Sequence, residues 1–137
     1  MKAFDGLQAK FMAVTGLALA VMRTVLRSPI TNYVNPCLVT GSLLLIDKRV
    51  SEQFAESARQ YLKDAGHTFE LQVIEQEGGF CQITAGSSAW ESRLYVALAT
   101  SIFERGITKC LIGTRGLFGE GWDSQSLNTL IDLTTTT

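Results

Sequence analysis

The stretch CLIGTRGLFGEGWDSQSLNTLIDLT, residues 110–134, decides how the rest of the chain is read. The apolar start Cys110-Leu111-Ile112 runs into Gly113, Gly116, Gly119 and Gly121, interleaved with Thr114-Arg115, Glu120 and Asp123. Glycine lacks the Cβ that keeps another molecule away from the main chain, so a strand opening into glycines predicts a loop built for close approach. Phosphates of nucleotides and nucleic acids are common occupants of such loops. The return of apolar residues over 127–133 predicts a second strand.

Upstream, Leu94, Leu98 and Ile102 form a helical stripe over 88–105, widened by Tyr95, Val96, Ala99 and Phe103, so this helix is expected to be covered on more than one side. Ser88-Ala89-Trp90-Glu91 has the spacing of a capping box at its start, and Gly106 ends it. Residues 75–86 are polar and glycine-bearing, which predicts a loop, with Glu75 and Glu77 as solvated carboxylates. Residues 68–74 predict a strand. Residues 51–65 predict a helix with Phe54, Ala58, Tyr61 and Leu62 inward and a left-handed stop at Gly66. The nearly unbroken apolar run 37–46 reads as one strand covered on both faces. Ser28-Pro29 and Asn35-Pro36 break the chain before it. Leu7, Phe11, Val14, Ala18, Val21 and Val25 predict a first helix over 5–27. Strands alternating with helices predict an α/β fold, a mostly parallel sheet with flanking helices.

With 137 residues, 46% of them hydrophobic and 18% charged, the chain suits one ordinary globular core. The formal net charge of −1 means that any nucleic-acid contact must come from a local arrangement of cations and amides. Cys37, Cys81 and Cys110 are widely spaced, with no CxxC pair, which fits reduced thiols in the cytoplasm and neither a disulfide framework nor a zinc site. The longest apolar stretch, 11–22, is interrupted by Thr15-Gly16, is short of a membrane span, and is followed by Arg23 and Arg27 where a signal peptide would be cleaved. No membrane partner is expected.

The strand, glycine loop and following strand over 110–134, with the signature Glu120-Gly121-Trp122-Asp123, resemble motif V of superfamily 2 (DEAD/DEAH-like) helicases, as in the helicase subunit of bacterial excision repair. The run 37–46 with the helix after it resembles motif IV. The resemblance implies that 37–137 is part of a C-terminal, RecA-like (P-loop NTPase-like) second lobe, with 1–36 an N-terminal helix and connector. It implies that Thr114, Arg115 and Gly116 meet the nucleic-acid backbone, and that Glu120, Gly121 and Asp123 lie at the nucleotide.

The resemblance also implies ATP and Mg²⁺ as cofactors of a parent helicase and ATP hydrolase, and DNA or RNA as its partner. No GxxxxGK[ST] loop and no DExx run occur, since these belong to the N-terminal RecA-like lobe, and the arginine motif expected after the last strand is not reached. The chain is therefore expected to be a fragment with no catalytic residue of its own, inactive alone, and prone to self-association where its first helix lacks a partner. The competing reading is a stand-alone α/β module that binds a nucleotide or phosphate without catalysis. A further one is an interaction domain that docks through the first helix. His67 has no evident catalytic partners, and Ser87-Ser88 lacks the GxSxG setting of a hydrolase nucleophile.

Overall fold

The computed structural model describes residues 9–12, 15–29, 31–113 and 129–132. Among these, β1 (Ala9–Met12) leads into α1 (Thr15–Arg27), a short 3-10 turn (Asn32–Val34), β2 (Pro36–Val39) and β3 (Leu44–Asp47). A second 3-10 turn (Lys48–Val50) leads into α2 (Ser51–Asp64), followed by β4 (Gln72–Gln76), β5 (Phe80–Thr84), α3 (Ser92–Glu104), β6 (Cys110–Gly113) and β7 (Thr129–Asp132). The strands form one open sheet in the order β4-β5-β3-β2-β6-β1-β7.

The α/β class holds, but the expected mostly parallel sheet is corrected to a mixed one. β2, β6, β1 and β7 run parallel to one another, whereas β2–β3, β3–β5 and β5–β4 are antiparallel. Two tight turns account for the difference. The run 37–46 is not one strand but a hairpin, in which the Thr40 amide donates to Leu43 O at 2.9 Å and the buried Thr40 hydroxyl accepts from the amides of Ser42 and Leu43 at 3.2 and 3.0 Å. A side chain that satisfies its own turn in this way reverses the chain within a few residues. The second turn lies in the predicted loop 75–86, where Gly78 and Gly79 at φ of 106° and 89° join β4 to β5. Only glycine adopts such angles at little cost.

The predicted helix over 5–27 begins later. Residues 9–12 form β1, held between β6 and β7, and the helix starts at Thr15. Short apolar runs fit either period, and here strand pairing overrides the local helical spacing. The predicted capping box is also corrected. Residues 85–91 form turns, Ser88 is exposed, and α3 begins at Ser92 with Glu91 before it and no side-chain cap bond. The stop at Gly66 is as expected: its φ is 87°, its amide donates to Lys63 O at 3.1 Å and the His67 amide donates to Leu62 O at 2.9 Å, the paired bonds of a Schellman end.

Strand residues alternate between two cores. Cys37, Val39, Leu44, Ile46, Cys81, Ile83 and Leu111 face α2 and α3, meeting Phe54, Ala58, Leu62, Leu98, Ile102 and Phe103. Leu38, Leu45, Phe80, Cys110 and Ile112 face α1, meeting Ala18, Met22 and Val25. Helices thus cover both faces of the central strands. At the outer side, β4 pairs only with β5 and leaves Val73 and Ile74 40% and 43% exposed.

Candidate functional site

The residues singled out for nucleic-acid and nucleotide contact, Thr114, Arg115, Gly116, Glu120, Gly121 and Asp123, lie outside the described residues. The structure does describe the strand that delivers them. All four residues of β6 are buried, and β6 lies between β2 and β1. Val39 and Met12 pair with Gly113, and Met12 in turn pairs with Asp132. Four parallel strands therefore end in register along one edge of the sheet, hereafter the carboxyl edge. In open α/β sheets this is the edge at which ligands bind.

The antiparallel half brings further residues to the same edge. β3 runs away from it, so α2 starts at the opposite edge and returns. Its end at Gly66, the segment 67–71, the pairing of Gln72 with Thr84, and the turns that precede α3 all fall on the carboxyl side. Here the rings of His67 and Phe69 have centroids 5.3 Å apart, Phe69 and Trp90 meet edge-on at 6.2 Å, and Trp90 and Tyr95 lie 5.1 Å apart. Phe69 and Trp90 are half-buried against the α2–α3 core, and burial raises the Tyr95 phenol above its ordinary pKa. Sequence spacing could not reveal this group, because it joins residues from either side of β4 and β5. The Ser87 hydroxyl accepts from the Ala89 amide at 3.1 Å and so shapes the turn carrying Trp90.

The other charged candidates have local duties at the opposite edge. Asp47, 1% exposed, accepts from the Arg49 amide at 2.9 Å, from its guanidinium at 2.6 Å and from Asn35 Nδ2 at 3.3 Å. This hydrogen bonding raises the Arg49 pKa. Lys48 is ion-paired with Glu75, whose bond raises the lysine pKa, so Glu75 belongs to a strand and not to the predicted solvated loop. Arg23 and Arg27 are exposed on α1, on the sheet face opposite α2. The three thiols are free and buried, and burial pushes those of Cys37 and Cys110 far up.

Among the described residues no cluster of acids, histidines and cysteines is arranged to hold a metal ion, and no helix is long and apolar enough to cross a membrane. No protein-family model, curated protein or solved structure matches the chain.

Proposed function

We propose that the chain is the second, RecA-like lobe of a cytoplasmic, nucleic-acid-dependent ATPase of the superfamily 2 helicase type. The observation that supports this reading most is the position of β6. A buried parallel strand, flanked by parallel neighbours and covered by helices on both faces, ends at Gly113 on the ligand-binding edge, where the glycine-rich sequence begins. In this reading Thr114, Arg115 and Gly116 contact phosphates of DNA or RNA, while Glu120, Gly121 and Asp123 face the nucleotide. ATP and Mg²⁺ are held chiefly by another lobe, which supplies the phosphoryl-transfer chemistry.

The test is made in the parent protein. Asp123→Ala should lower nucleic-acid-stimulated ATP hydrolysis roughly tenfold or more, the scale of a lost hydrogen bond to a charged group. Thr114→Ala should leave basal hydrolysis in place and weaken its stimulation by DNA or RNA. Normal stimulated turnover in both variants would remove the motif assignment. Tight binding of ATP by the isolated 137 residues would favour the stand-alone module, because half of a two-lobe site binds nucleotide poorly.

A further inference from the structure

Two clefts meet at His67. One, of about 360 Å³, is lined by Arg59 and Lys63 of α2 together with His67 and Phe69. The other, of about 470 Å³, is lined by His67 and by Arg93 of α3. Both volumes fall in the range of small-ligand sites. Arg59 and Lys63 are four residues apart and thus neighbours on one flank of α2, and His67 follows directly beyond the end of that helix. The Schellman end fixes the imidazole's backbone, and the Phe69 ring supports it from one side. The result is a rim of half-buried rings bordered by three exposed cations.

We propose that the paired clefts around His67 bind single-stranded nucleic acid, with bases stacked on the His67 and Phe69 rings and phosphates held by Arg59, Lys63 and Arg93. Rings that offer a planar surface, set beside a line of cations, are the combination by which proteins hold single strands without reading their sequence. Glu70 and Glu91 also line the clefts, so the cations exceed the carboxylates only locally, and binding should be weak and strongly salt-dependent. The site shares the carboxyl edge with Gly113, so one strand could run from these clefts toward Thr114. The choice of ligand rests on the proposed nucleic-acid-dependent lobe, but the site has its own readout.

That readout is the fluorescence anisotropy of a labelled oligothymidylate titrated with the 137-residue chain at several salt concentrations. The Arg59→Gln/Lys63→Gln pair, both exposed on α2 and expected to fold normally, should lower the salt slope by about two, one per lost phosphate contact. His67→Ala should weaken binding roughly fivefold or more, the lower end for a lost stacking contact. An abasic strand of equal length should bind the wild-type chain about as weakly as oligothymidylate binds the alanine variant. Absence of binding by the wild-type chain, or wild-type affinity and salt slope in the variants, would overturn the site. If these variants lose binding while Thr114→Ala and Asp123→Ala leave stimulated hydrolysis intact, the site stands and the ATPase reading falls. The reverse pattern keeps the ATPase reading and removes this site.

Discussion

Thr108 shows most directly how one atom can be at odds with its surroundings. It is fully buried just before β6, and its hydroxyl has no hydrogen-bond partner among the described residues. An unpaired buried hydroxyl carries its desolvation cost with nothing to offset it, so Thr108→Val should raise stability by about 1 kcal/mol. Thermal unfolding of the two forms checks this. A lower melting temperature for the valine form would mean that the hydroxyl is satisfied by a buried water. Asp47 is the contrasting case, since its buried carboxylate is bonded by Arg49 and Asn35. Asn35, at φ of 54°, occupies the left-handed region that asparagine tolerates better than most residues.

The helix ends are the elements whose sequence signals carry the most information. Gly66→Ala would place a Cβ at φ of 87°, and although nothing lies within 4 Å of that Cβ, the backbone angle itself is unfavourable. The variant should lose roughly 1 kcal/mol, seen as an earlier urea midpoint at unchanged slope. A midpoint equal to wild type would show that the Schellman end relaxes freely. This stop was legible beforehand because it depends on one residue and its immediate neighbours, and the same holds for α2, α3 and β6. The hairpins were not legible. Residues 37–46 satisfy the apolar pattern of a continuous buried strand, and the reversal depends on one threonine hydroxyl turned back on its own turn. Likewise, 9–12 fits a helical stripe and becomes a strand only because β6 and β7, encoded far downstream, pair with it.

Across the whole molecule, the two most strongly perturbed thiols, Cys37 and Cys110, sit on adjacent central strands and face opposite cores. Burial raises both above the ordinary thiol value, so the folded chain keeps protons that the unfolded chain gives up. Their contribution to stability is therefore complete below about pH 8.5, the ordinary thiol value, and declines as pH rises above it. Urea unfolding across that range should show a falling stability that Cys37→Ala/Cys110→Ala flattens, and an equal slope in that variant would assign the decline to other groups. At this scale the candidate site was legible only in part. The glycine-rich sequence after β6 stands out by composition, whereas the ring cluster at His67 exists only once α2, β5 and α3 bring four aromatic residues together.

The place of β1 has a bearing on biosynthesis. Both of its neighbours in the sheet are made long after it, β6 at Cys110–Gly113 and β7 at Thr129–Asp132. As the chain leaves the ribosome, the hairpins β2–β3 and β4–β5 can close from neighbouring residues, but β1 has no strand to pair with until the last quarter of the sequence has emerged. Contacts between such distant residues carry the larger loop-closure cost and form late. An apolar strand kept waiting in this way is exposed to mispairing, so a nascent-chain chaperone would find its most persistent target at the amino end of this protein.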